Sequence, residues 1–409
     1  MTDREAMAPK FSNLRMLAIA IAIIGLAGSA YGYSVSKGTM LQCYLFAFVF
    51  WMGLTMGLFG LTLIHHMIRG RWGMPVLRIW EAGSRNLLLM AIFFVPIALA
   101  IYTHHLYPWA FTPENVPHEL QKHIAHKAKY FEFSFFIGRA ALYFAIWLFF
   151  SSVLNRSSVR QDVTGDSEMS NSRASWAAPG IVLFVLTVTF AWTDWVMSLD
   201  PSWFSTIFGI WFVIGQGLSA TAFTAILIWK WAGTKPYSDM VSEGVTRDIG
   251  NVLLTFTMFW GYISISQFLI IYSGNLGEET SYYLRRGLDP RHGASIYWFI
   301  GSAITFGQFF IPFVMLLSGK TKRSAKLLGL VATMIFTVRI FDIFWTILPF
   351  FHPDPRGSGQ TVPVEIFWMS IAAWLAMGGI WLFAFVGNLK RYPLLPKHEP
   401  RLVEALEHA

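Results

Sequence analysis

One cysteine in 409 residues, Cys43, leaves no partner for an intrachain disulfide. It also excludes a Cys-rich iron–sulfur or zinc site and a CxxCH haem attachment, so the chain is expected to bind no redox centre covalently. Charge is scarce as well: 13% of residues are Asp, Glu, Lys or Arg, against 55% hydrophobic and 17% aromatic. A chain of this composition falls outside the range of soluble domains. From Pro201 to Trp229, and again from Ile249 to Gly277, there is no Asp, Glu, Lys, Arg or His. Each run exceeds the roughly 20 residues that cross hydrocarbon. The formal charge of +8 is scattered, with no Lys/Arg block interleaved with aromatics, which argues against nucleic acid as a partner. The sequence reads as a polytopic membrane protein surrounded by lipid.

Apolar runs bounded by charge or Gly/Pro clusters predict ten spans, near 14–32, 42–66, 86–102, 133–154, 176–198, 204–231, 249–273, 295–318, 326–350 and 364–388. Helices satisfy their own backbone in lipid, so the expected fold is an all-α integral membrane protein in a single membrane domain, 1–409. The basic N-terminal segment and the apolar run after it are read as a retained first helix rather than a signal peptide. With the N-terminus cytoplasmic, that side holds 21 of the 31 Lys and Arg residues and the other holds 8, Arg139 and Arg339 lying within spans. Both termini are therefore expected in the cytoplasm. Residues 155–175 read as a polar, Ser-rich cytoplasmic loop. Residues 103–132 read as an outer loop with a short surface helix from about His118 to Lys129.

Charged groups inside spans are costly and usually face a bundle interior or a wet cavity. There are four main ones: Arg139, Asp194, Arg339 and Asp342. Arg339 and Asp342 are three apart and can pair on one helix face. Arg139 and Asp194 each need a partner from another span, and if all four met they would form a neutral polar cluster able to handle protons or to fix packing. Ser198, one turn beyond Asp194, is a candidate hydrogen-bond partner. Asp200, just before Pro201, is expected to cap the next helix. In the seventh span, Tyr262, Ser264 and Gln267 suggest a polar stripe, with Ser264 and Gln267 on one face with Trp260; it would serve as interhelical glue or as a water path. No histidine lies in mid-membrane, which argues against buried b-type haem. His118, His123 and His126 have no Cys or Asp to complete a zinc set and are read as one face of a surface helix, so no metal site is expected.

Four strings, "HKAKYFEFSFFIGRAALYFAIWLFF" (126–150), "FAWTDWVMSLDPSWFSTIFGIWF" (190–212), "FWGYISISQFLIIYSGNLGEETSYYLRR" (259–286) and "RIFDIFWTILP" (339–349), resemble the ActF-type membrane subunit of bacterial alternative complex III, related to the NrfD/polysulfide-reductase membrane anchors. The resemblance covers about residues 10–390. It implies two four-helix bundles, spans two to five and six to nine, with the first and last spans peripheral. It also implies an ActC-like membrane paralogue, an iron–sulfur subunit and haem c subunits as partners, in a complex that oxidises quinol or menaquinol. The role this implies is a subunit without a redox centre of its own, either a proton conductor or a structural partner. Two alternatives remain: this chain is itself the quinone-binding ActC-like paralogue, or it is an independent proton-coupled secondary transporter, for which no inverted repeat is evident.

Overall fold

Each predicted apolar run is helical in the computed structural model, which describes residues 3–112, 114, 116, 118–288, 294–354 and 362–399. The elements in chain order are α1 (Asp3–Val35), α2 (Lys37–Ile68), α3 (Leu77–Ser84), α4 (Leu87–Tyr102), α5 (His118–His126), α6 (Phe133–Thr164), α7 (Glu168–Trp195) and α8 (Phe208–Trp231). They continue with α9 (Tyr237–Met240), α10 (Glu243–Gly274), α11 (Gly277–Leu284), α12 (Ile296–Ile304), α13 (Ile311–Leu317), α14 (Gly319–Arg323), α15 (Ala325–Phe351) and α16 (Glu365–Arg391). Among the described residues ten helices are long and apolar enough to cross a membrane, so the chain is an all-α, multi-pass membrane protein. Parts of the expected outer segments, 289–293 and 355–361, and the tail from 400 lie outside the described residues.

Two rings of helices share a seam. Helices α2, α3–α4, α6 and α7 enclose the first bundle, and α8, α10, α12–α13 and α15 the second. The seam is α2 against α8, and it depends on a glycine: a Cβ at Gly57 would lie 2.1 Å from the Gln216 carbonyl oxygen. Without a hydrophobic drive between helices in lipid, such close backbone approach supplies the packing. The same device joins α1 to α16, where a Cβ at Gly25 would meet the Ala376 backbone nitrogen at 2.1 Å. Side-chain oxygens of Ser36, Ser242, Ser295 and Ser324 accept from the backbone N–H three residues on and so start α2, α10, α12 and α15.

Several boundaries depart from expectation. The loop expected at 155–175 is helix nearly throughout, since α6 runs to Thr164 and α7 starts at Glu168. Polar contacts hold these extensions, with Ser158, Gln161, Asp162 and Arg173 all buried. The sixth span begins at Phe208 rather than near 204. Asp200 caps a turn instead of a helix: its carboxylate accepts the Ser202 backbone N–H at 3.0 Å and pairs with Arg285 at 3.1 Å. The third span is longer than expected, a near-continuous run from Trp72 to Tyr102 that bends at Arg85 and Asn86. The first and last spans lie outside the two rings, and the last is packed closely onto them, since Trp381 and Phe385 of α16 are buried and the Trp381 indole donates to Thr55 of α2.

Candidate functional site

Asp194 occupies the last turn of α7 and is 1% exposed. Its carboxylate accepts from Arg139 Nε at 2.9 Å and Nη2 at 3.0 Å, a two-pronged pair across the first bundle. Two phenols complete it, Tyr130 at 2.6 Å and Tyr143 at 2.9 Å. Arg139 also donates to the Tyr130 carbonyl at 3.0 Å and lies 3.9 Å from that ring's centroid. Tyr130 lies in the loop before α6, and burial together with the neighbouring Asp194 charge pushes its phenol above the usual range. Ser198 donates to the backbone carbonyl of Asp194, not to its carboxylate, and receives the Trp109 indole N–H at 3.2 Å.

The other two span charges stay in the second bundle. Arg339 pairs with Asp342 one turn on and donates to Ser219 of α8 at 3.2 Å. Gln308 donates to the same Asp342 oxygen at 2.9 Å from a π-helical turn, Thr305–Phe310, set into the eighth span. The expected cluster of four is therefore two separate ion pairs, one per bundle. The seventh-span stripe divides too. Gln267 and Ser264 lie on the inner side, but among the described residues both amide atoms of Gln267 and the Ser264 hydroxyl are buried without a hydrogen-bond partner, so no interhelical bond there uses them. Tyr262 is 68% exposed on the outer surface, because it is two residues from Ser264 and so falls on a different face of the helix.

Sequence reasoning missed a second cluster, at the opposite end of the first bundle, nearer the chain termini. Arg78 and Glu81 of α3 pair with each other; Arg78 also pairs with Asp162 of α6 and donates to Ser158 at 2.9 Å. Arg85 reaches Glu81 at 3.5 Å, and His66 of α2 comes within 3.9 Å of it. Arg173 of α7 donates to Gln161 at 2.6 Å and to Glu399, in the segment after α16, at 2.7 Å. Three arginines thus balance three carboxylates. The sequence reading had counted Arg78, Arg85 and Arg173 as topological charges. Only "RIWEAGSR" carried a local signal, with Arg78 and Arg85 three and four residues from Glu81.

One face of α6 joins the two clusters. Tyr143, Trp147, Ser151, Asn155, Ser158 and Asp162 recur every three or four residues, and each is buried. Asn155 donates to Ser151 at 3.0 Å and to Ser84 of α3 at 2.9 Å. The Trp147 indole donates to Thr187 of α7 at 2.8 Å. From Tyr143 to Asp162 the face runs about 28 Å, close to the thickness of the hydrocarbon core. Along it lies an aromatic layer in which Phe144 stacks on Trp195 at 5.7 Å, with Trp147 edge-on to Trp195 at 5.9 Å.

Among the described residues no group of three or more His, Cys, Asp or Glu could hold a metal ion. The chain matches no family model and no curated protein.

Proposed function

We propose that this chain is an integral, non-catalytic membrane subunit of a quinol-oxidising electron-transfer complex of the alternative complex III type, and that its first bundle handles protons. The four strings quoted above support membership of the complex. The proton role rests on one observation: buried carboxylates at opposite ends of one bundle, Asp194 and the Glu81–Asp162 pair, are linked along a single polar face of α6. At the Asp194 end the two phenols donate to the carboxylate and place exchangeable protons beside it. At the other end a proton taken up by Glu81 or Asp162 leaves one positive charge in excess, which Arg78 still shares with the remaining carboxylate. The aromatic layer between them is the barrier that water must cross for conduction, and its closure at rest prevents a leak. Quinol oxidation belongs, on this reading, to an ActC-like neighbour beside iron–sulfur clusters, and haem c subunits carry the electrons onward. The membrane is then the bacterial cytoplasmic membrane, with both termini inside.

The test reconstitutes the intact complex in liposomes. Asp194→Asn and Glu81→Gln should each lower proton translocation per electron while leaving subunit composition and electron transfer intact. Unchanged proton yield in assembled variants would make the two clusters packing devices. Proton-coupled solute transport by the isolated chain would instead support the secondary-transporter reading.

A further inference from the structure

A cavity of about 350 Å³ opens in the second bundle between α10, the α12–α13 helix and α15. Cavities of this size and mainly apolar lining hold small ligands. Three lining residues carry buried polar atoms without a hydrogen-bond partner among the described residues: Trp260 its indole N–H, Ser264 its hydroxyl, and Gln267 both amide atoms. Gln267 is 4% exposed, so water outside the bundle does not serve it. Native proteins leave few buried polar groups unpaired, and four such atoms on one cavity wall point to a bound partner. Trp298 and Phe306, also in the lining, are exposed on the bundle surface, which turns the mouth toward the bilayer.

The chemistry of the wall selects the ligand. Among the described residues Asp342 is the single charged group in the lining, and Arg339 already neutralises it, so a charged head would find no counter-ion among them. Gln267 Oε1 requires a donor, whereas its Nε2 and the Trp260 N–H require acceptors. A ketone or ester head only accepts; a hydroxyl does both. The aromatic remainder of the wall calls for an apolar body, which water cannot supply. We propose that this cavity binds an uncharged amphiphile with a hydroxyl-bearing head, entering sideways from the bilayer, with the head seated between Gln267, Ser264 and Trp260.

Binding of tritiated monooleoylglycerol to the purified full-length chain in detergent tests this, with tritiated oleate as the charged comparison. Saturation near one molecule per chain is expected, with oleate failing to compete. Gln267→Leu, which removes both amide atoms at similar volume, should weaken binding at least tenfold. If that variant does not fold, Trp260→Phe removes only the N–H and should weaken binding severalfold. The proposal is overturned if binding never saturates, if oleate binds equally well, or if the folded variants bind like the wild type.

Discussion

Replacing Asp194 by Asn exchanges one carboxylate oxygen for an NH2 and removes one charge, and the structure sets the cost. The carboxylate now accepts four hydrogen bonds, two from Arg139 and one each from Tyr130 and Tyr143. An asparagine keeps one acceptor oxygen and turns an NH2 toward groups that are themselves donors. Removing one member of a buried pair costs about 3–5 kcal/mol, mainly because the other charge stays buried and uncompensated. Arg139 retains 12% side-chain exposure, the Tyr130 carbonyl and the faces of Tyr130 and Phe135, which soften the loss. A destabilisation near the lower end, about 3 kcal/mol, follows. Adding Arg139→Gln removes the stranded cation, so the double variant should be more stable than Asp194→Asn alone, short of wild type by about 1–2 kcal/mol for the phenols that share a poorer acceptor. Equilibrium unfolding of the purified chain in detergent, run as a double-mutant cycle, measures both numbers. A single-variant loss below about 1 kcal/mol, or a double-variant loss equal to the sum of the singles, would refute the claim that the pair is coupled and buried.

At the other end of the first bundle, Glu399→Ala should cost about 3 kcal/mol, because Arg173 keeps Gln161 as an acceptor but loses the one carboxylate that pairs with it among the described residues; chemical unfolding reads this out, and an effect under about 1 kcal/mol would detach the segment after α16 from the cluster. Gly57→Leu should separate the two bundles at their seam, since even a Cβ would overlap the Gln216 carbonyl, and should appear as loss of the folded species on size-exclusion chromatography, whereas Gly138→Ala, with open space around it, should not. His352, just beyond α15, has its pKa lowered by burial and lies 2.8 Å from Gln42 Oε1. The unfolded chain therefore takes up a proton near pH 6.5 that the folded one resists, so stability is full above that pH and falls as pH drops below it. His352→Gln should flatten this part of the difference between melting midpoints at about pH 7.5 and 5.5.

Arg286 shows where local reading stops. In the sequence it is one of two adjacent arginines in an outer loop; in the structure it is buried, donates to the carbonyls of Tyr282, Trp345 and Thr346, and has its pKa lowered to about 10 by burial. Nothing within "YYLRRG" distinguishes it from Arg285, which is partly exposed and holds Asp200. The 155–175 segment misled for a related reason. Its serines and Arg173 look like a solvated loop, yet Ser158 is held by Arg78 of α3, and Ser170 and Arg173 by Glu399 after α16, each more than 70 residues away.

Composition and the spacing of apolar runs by themselves determined ten crossing helices, because lipid leaves a backbone no alternative to helix and requires about 20 apolar residues per crossing. The i,i+3 spacing of Arg339 and Asp342 likewise foretold their pairing. Tertiary structure alone decided that Asp194 meets Arg139 rather than Arg339, that Gln267 faces a cavity instead of a neighbour, and that Arg78, Asp162, Arg173 and Glu399 form one buried network. The physical reason is the same in each case: periodicity fixes which face of its own helix a side chain occupies, but the partner on that face is set by how helices distant in sequence rotate and approach, and here that approach is controlled by glycine contacts such as Gly57 against Gln216.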